Sequence, residues 1–522
     1  MLHDFVELSA GCVQGLRYFS KKDLCNYRMY LGVPYAETTA GANRFMKPIP
    51  KQHFEGLINA TRFGNRCPQW SDPSDNDRGV SESEDCLNLN VFAPASAEKL
   101  PVIMYVHGGS FLNGSNVAFG STNICDALCS KNSVVVVPNY RLGFLGFLWL
   151  DSELTAGNLG LWDLHCALLW VHREIEKFGG DPANITLVGQ SAGGALVDLM
   201  TVSPYTKGLF NKVISISGNR FCKWAVLSRK DVRKHTLQLA LRNGWKNQSN
   251  NVHNYEKLLE YLREMSEGCF LIDADAKIAN GDFEPWIGPI VDGDFIPSVE
   301  TLKTVNKNIS VITGNIECEG ILFCHQTRLP LNSIIFEAIV DAIVTDYDIQ
   351  DRERIVQMYT LSSDDDARKS VLEIVGDTVI NQSITDLIDL HRAHNKDLYV
   401  YTFRHLNAAS LAYCEEYWKA EVNTHGGELP YLFGDVVSKH SWKFDEDDEE
   451  MSERFTTMIT NFAKSGNPSI PSTFANVHWK PTTVSAVTCL HLSRCPSVQS
   501  EFNKGKCFRK IGNRAKSRQQ FE

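Results

Sequence analysis

Two runs of β-branched and apolar residues, VIMYVHGG (Val102–Gly109) and SVVVVPNY (Ser133–Tyr140), each break off into turn-forming or polar residues. Such runs predict strands buried on both faces of a parallel sheet. Between them, TNICDALCSKN has helical spacing. After them, LWDLHCALLWVHREIEKF (Leu161–Phe178) repeats apolar residues at three and four positions, which predicts a helix packed on that sheet. Ile185, Leu187 and Val188 make a short apolar strand, and Ala192 through Met200 read as the helix that follows. VISISGN (Val213–Asn219) and KNISVITGN (Lys307–Asn315) predict two further strands. Strand alternating with helix is the α/β pattern, whose active sites lie beyond the carboxyl ends of the strands. The segments at about 225–300 and 325–395 predict helical insertions over the sheet. DEDDEE (Asp445–Glu450) is expected to be a solvated loop. Repeats and low-complexity linkers are absent, so the expectation is one domain over 1–500 and a disordered basic tail over 501–522.

Composition narrows the partners. The chain has 522 residues, 43% hydrophobic and 22% charged, as in a soluble globular protein with ample core. Its net charge of −10 argues against nucleic acid or an anionic membrane as partner. No apolar run is long enough to span a bilayer; GFLGFLWL stops at Asp151. The start, MLHDFVELSAG, carries acidic residues and no apolar core, which is unlike a secretory signal and points to a cytoplasmic protein, the alternative being a secreted or endoplasmic reticulum protein whose leader precedes this start. Fifteen cysteines, an odd number with no C-x-x-C pair, suggest no zinc site and leave the redox compartment open. Asn59 and Asn308 begin N-x-S/T sequons, which are used only in a secreted chain.

The candidate chemistry starts at FGGDPANITLVGQSAGG, residues 178–194. Ser191 stands at a strand-to-helix corner, where side chains two positions before and after would collide. Gly189 and Gly193 relieve that crowding, so the corner can present one hydroxyl above the sheet with a helix N-terminus behind it. A serine nucleophile also needs a base, a group to orient the base, and donors for an oxyanion. His107-Gly108-Gly109-Ser110-Phe111, directly after the first strand run, offers small residues whose amides can approach a substrate oxygen. Alone, that loop reads more readily as an ordinary strand-ending turn.

Together these segments resemble the type B carboxylesterases, an α/β-hydrolase family that includes acetylcholinesterase and the liver and gut esterases. The run Phe178–Gly193 fits the family's nucleophile signature. Glu84-Asp85-Cys86-Leu87 with Leu89-Asn90-Val91 fits a second signature, with Asn88 where an aromatic or threonine is usual. GVPYAE, NYRLG, GNLGLWD and FAKSGNP extend the likeness over about residues 5–495. The resemblance implies an α/β-hydrolase fold: a large, mostly parallel sheet, helices on both faces, and helical insertions over the active site.

It also implies a triad in the order Ser191, Glu319, His425, with Glu319 from GNIECEG and His425 from HGGELPYLFG. Glu317 is the weaker candidate for the acid, since no glycine follows it. The implied oxyanion donors are the amides of Gly109, Ser110 and Ala192, and Ser217 matches a serine that supports the acid and histidine from behind. Cys67 and Cys86 match a family disulfide, and Arg44 and Glu84 match a buried ion pair beside it. No metal or cofactor is implied.

Departures from the pattern matter too. A second family disulfide has no counterpart between Trp245 and Cys269. Gln190 replaces the usual glutamate before the nucleophile, and the Cys67–Cys86 loop has Trp70 but no tryptophan where cholinesterases hold choline. The expected activity is hydrolysis of neutral carboxylic esters through an acyl-enzyme, the partner being a small ester. Alternatives are a catalytically silent, neuroligin-like adhesion module, and a lipase or thioesterase of the same fold. Oligomeric state stays open.

Overall fold

The computed structural model describes residues 2–512 except 71–78, 97, 151–154, 247–252, 273–286, 327–328, 360–363, 408–421, 435–442 and 470–476. Its strands join in one sheet: β1 (His3–Leu8), β2 (Gly11–Phe19), β3 (Asn26–Pro34), β4 (Ile58–Asn59), β5 (Asn88–Pro94), β6 (Leu100–Val106), β7 (Val134–Pro138), β8 (Gly180–Gln190), β9 (Lys212–Ile216), β10 (Ser310–Ile316), β11 (Tyr399–Phe403), β12 (Cys489–Leu492) and β13 (Ser497–Gln499). The order is β1-β2-β3-β5-β7-β6-β8-β9-β10-β11-β12-β13, with β4 beside β2. From β7 through β6 and β8 to β12 every pairing is parallel. The β1-β2-β3-β5 flank and β13 pair antiparallel. The chain leaves β6 toward β7 on one side and later enters β8 on the other. That reversal opens a crevice at the carboxyl ends of β6 and β8.

Four helices interleave the central strands: α1 (Thr122–Ala127), α2 (Gly143–Phe147), α3 (Leu159–Glu174) and α4 (Ala192–Met200). The pleat divides their packing. Val102, Met104 and Val106 of β6 join one core with α2, α3 and α4, while Ile103 and Tyr105 join a second core with α1 and the helix Glu446–Ser465. Successive strand side chains point to opposite faces, so a strand apolar at every position requires helices on both. Leu161, Leu164, Leu168 and Val171 of α3 are fully buried, each contributing about 1.5–3 kcal/mol by transfer out of water. A third core, around Val340, Ile343, Ile355 and Val371, is built by the predicted helices after Glu319.

Polar links fix the connecting loops. Arg141 of NYRLG donates through Nε and Nη2 to both carboxylate oxygens of Asp163 of GLWD, at 2.7 and 2.6 Å, with both side chains buried. Arg44 makes the same two-pronged pair with Glu84, two residues from Cys86. Cys67 and Cys86 are joined as a disulfide, Cα atoms 4.9 Å apart. Asn88 is fully used: its amide donates to the carbonyls of Asn65 and Cys86, and its oxygen accepts from Asn116.

Two expectations are corrected. DEDDEE is no loop but the first turns of the helix Glu446–Ser465. Asp445 caps it in a reciprocal capping box with Asp448, and four acidic residues occupy the first turn, where they offset the helix dipole. Asp448 is buried against His405, Asn407 and Tyr431. The basic segment is no free tail over its described part. Residues Phe508–Ile511 form a helical turn, with Phe502, Cys507 and Phe508 buried. Lys506 pairs with Glu373, Arg509 with Asp386 and Lys510 with Asp389. Interspersed aromatics and facing acids account for this docking, whereas charge alone suggested solvent. Residues 513–522 lie outside the described residues.

Candidate active site

The register of the two central strands pairs Val106 with Gly189. The loop 107–111 and the corner at Ser191 therefore leave the sheet side by side. Ser191 has φ 57° and ψ −125°, a conformation that non-glycine residues rarely hold. Its amide donates to Ile216 O at 2.8 Å, and its carbonyl accepts the first bond of α4 from Ala195. The crowding foreseen for the corner is real. A Cβ on Gly189 would stand 2.3 Å from Gly193 O, and one on Gly193 2.1 Å from Val106 O.

Gly109, Ser110 and Phe111 all have positive φ, at 109°, 56° and 62°. The turn is closed by bonds from the amides of Leu112 and Asn113 to Gly109 O. Among the described residues, the amides of Gly109, Ser110 and Ala192 are spent on no protein acceptor. His107 does not join the acid–base chemistry: it stacks on Tyr140 at 4.4 Å, and burial lowers its pKa to about 4.

Three elements deliver the acid and the imidazole. Glu319 follows β10, His425 precedes the short helix Leu429–Phe433, and Ser217 follows β9. Nδ1 of His425 lies 2.6 Å from Oε2 of Glu319. The other carboxylate oxygen accepts from Ser217 Oγ at 2.6 Å and from the Ile316 amide at 3.0 Å. A backbone bridge between Cys318 and Thr424 aligns the two loops one residue before each side chain. Burial disfavours the charged imidazolium, but the Glu319 carboxylate, by its charge and hydrogen bond, and Glu428 outweigh it, so the His425 pKa is raised.

The structure thus brings Glu319, His425 and Ser217 into one hydrogen-bonded chain. Nε2 of His425 reaches the Ser191 corner, where it meets the Gln190 side chain at 3.2 Å and makes no hydrogen bond to Ser191. Sequence reasoning missed Glu428 and Trp224, and read Phe111 only as part of its loop. Glu428 stands in the same HGGELP run as His425, is 1% exposed, and is pushed up to about 7 by burial and the Glu319 charge. Its sequence position gave no sign of burial. Trp224 packs against the corner through Gly218, where a Cβ would lie 3.1 Å from the indole and 2.2 Å from Ser191 O. Phe111, 6.0 Å from Trp224 between ring centroids, continues that apolar wall. A cavity of ≈ 580 Å³ borders Glu317, Cys318 and Glu319, but neither Ser191 nor His425 lines it. No cluster of metal-binding side chains occurs among the described residues, nor any helix long and apolar enough to cross a membrane.

The sequence matches the model of the carboxylesterase family over residues 3–509. It is 31% identical to esterase cest-33 of Caenorhabditis elegans, covering 89% of this chain and 85% of that protein. It is 28% identical to the bile salt-activated lipase of Bos taurus, over 89% and 80%. To neuroligin-2 of Mus musculus it is 29% identical, over 96% and 66%. The parallel sheet, the strained corner after β8 and this match over nearly the whole chain agree: the protein has the α/β-hydrolase fold and belongs to the carboxylesterase family.

Proposed function

We propose that this protein is a serine carboxylesterase acting on neutral acyl esters, with Ser191 as nucleophile, His425 as general base and Glu319 as its orienting acid. The observation that carries the reading is the Ser217–Glu319–His425 hydrogen-bonded chain ending at the Ser191 corner. In the reaction, Ser191 Oγ attacks the ester carbonyl carbon and its proton passes to Nε2 of His425. The amides of Gly109, Ser110 and Ala192 stabilise the oxyanion. The tetrahedral adduct collapses, the alcohol leaves with the proton from His425, and water repeats the sequence on the acyl-enzyme. Throughout, Glu319 keeps Nδ1 protonated and balances the imidazolium.

Trp224 and Phe111 beside the corner suit an apolar acyl group. Gln190 brings no charge to the site, which favours neutral esters. The similarity to neuroligin-2 supports a second reading, a non-catalytic adhesion module, which the intact serine, acid and histidine oppose. A lipase or thioesterase would share the same chemistry and differ in acyl length. Labelling with a fluorophosphonate, followed by a panel of neutral acyl esters of increasing chain length, tests the proposal. Failure of Ser191 to label, with no ester turned over, would overturn it in favour of the adhesion reading.

A further inference from the structure

The imidazole nitrogen that the proposed reaction needs is already taken. Nδ1 of His425 faces the Glu319 carboxylate and so carries the ring proton, which leaves Nε2 as a lone-pair acceptor. The group that meets Nε2, at 3.2 Å, is the side-chain amide nitrogen of Gln190, so the amide N–H donates to it. Two glycines make room for that side chain. A Cβ on Gly108 would stand 3.0 Å from Gln190 Oε1, and one on Gly426 would lie 3.8 Å from Gln190 Nε2.

Beside the amide stands Glu428. Its buried carboxyl oxygens have no close hydrogen-bond partner among the described residues, and its electrostatic neighbours are Glu319, His425 and Gln190. The buried hydroxyls of Tyr105 and Tyr401 lie beyond it, also without a close hydrogen-bond partner among the described residues. An amide has two N–H groups. One faces His425, and the other is left for Glu428, whose carboxyl interacts with the Gln190 side chain.

We propose that Gln190, oriented by Glu428, is a latch on the general base: in the empty site its amide holds Nε2 of His425, and it must swing aside before Ser191 can give up its proton. The inference rests on the serine esterase reading for its catalytic consequence, but not for the contact itself. Gln190 is a positioning residue that touches no substrate. A glutamate in its place could not donate to the neutral ring; it would instead accept from a protonated Nε2 and favour the imidazolium. The titratable groups facing His425 are Glu319 from the loop after β10 and Glu428 from its own segment. Tyr105 of β6 and Tyr401 of β11 stay protonated, burial raising both well above their ordinary value.

The test uses the full chain with carbon-13 at the histidine ring, and the resonance of His425 identified by its loss in His425→Gln. In Gln190→Glu the His425 titration should move up by about one pH unit relative to the wild type. In Gln190→Leu, which keeps the bulk and removes the donor, fluorophosphonate inactivation of Ser191 should run about five- to tenfold faster, the factor one hydrogen bond is worth. Thermal melts confirm that each variant is folded, and if the leucine variant is not, the titration of Gln190→Glu decides. An unmoved titration overturns the latch, as does an inactivation rate in folded Gln190→Leu at or below that of the wild type. A shifted His425 titration in a protein whose Ser191 never labels keeps the amide–imidazole contact and overturns the esterase reading instead.

Discussion

Glu317 forms a partly exposed ion pair with Arg404 just past the carboxyl ends of β10 and β11, while Glu319, two residues on, is buried against His425. The two acids of GNIECEG therefore do different work. Glu317→Gln should leave kcat within about twofold of the wild type, since surface ion pairs contribute little. Glu319→Gln should cut kcat by about 10³–10⁴, because an amide can neither fix the Nδ1–H tautomer nor balance the imidazolium. Steady-state kinetics on one neutral ester compares them, and the reverse ranking would show that the acid is misassigned.

With His425 as the proposed general base, its raised pKa should set the acid limb of activity. The base must be neutral to accept the Ser191 proton, so kcat/KM should fall as pH drops through a value above the ordinary 6.5. Stability moves the other way. The folded state holds this proton more tightly than the unfolded chain, so the contribution is fully present below about 6.5 and is lost as pH rises through the folded pKa. Rate profiles and urea midpoints across the same pH range should therefore show opposite slopes in that window from this group. His425→Gln should remove that component from the stability curve.

Ser191→Ala should abolish turnover and phosphonate labelling while leaving the fold intact. The corner's φ of 57° and ψ of −125° strains alanine as much as serine, but not glycine. Ser191→Gly should thus be more stable than Ser191→Ala by about 1 kcal/mol, read as a higher urea midpoint. Equal midpoints would mean that the corner stores no strain.

How much of this was legible beforehand follows from periodicity. β6 and β7 are apolar throughout, β8 and β9 carry shorter apolar stretches interrupted at Thr186 and Ser215, and these patterns show through because both faces are covered. The Ser191 corner was legible because only glycines fit at 189 and 193. The Glu319–His425 pair was not visible in composition or spacing, since 106 positions separate the two; only the family likeness joined them. DEDDEE misled because six consecutive acids read as solvent-facing, although a helix N-terminus accepts them equally well. Gln190 was read for the charge it lacks, and its amide contact with His425 depends on a loop more than two hundred residues away in the chain.

An ester pair matched in acyl group, one with a trimethylammonium leaving group and one with its neutral isostere, tests the substrate proposal. The neutral member should have the higher kcat/KM, because Gln190 supplies no anion to the site. A large advantage for the cationic ester would show that Glu428 or another buried acid reaches the leaving group.

Phe508 packs against Tyr347 in the third core, and its amide donates to Gln382 at 2.7 Å. Phe508→Ala should cost about 3–5 kcal/mol, the usual loss for a buried phenylalanine. Denaturant melts would register this directly, whereas a free tail would show no change.

The docking of residues 502–511 has a consequence for the order in which the protein is made. Asn503 donates to Asp377, Asp377 accepts from Asn381, and Asn381 accepts from Asn315 of β10, the strand that leads into Glu319. β12, which lies beside β11, is likewise synthesised after His425. A nascent chain that already includes Ser191, Glu319 and His425 still lacks these hydrogen bonds to the strand that leads into Glu319. The proposed site therefore gains this support only once residues 502–511 have been made, and a fragment ending soon after His425 carries the residues of the proposed site without it.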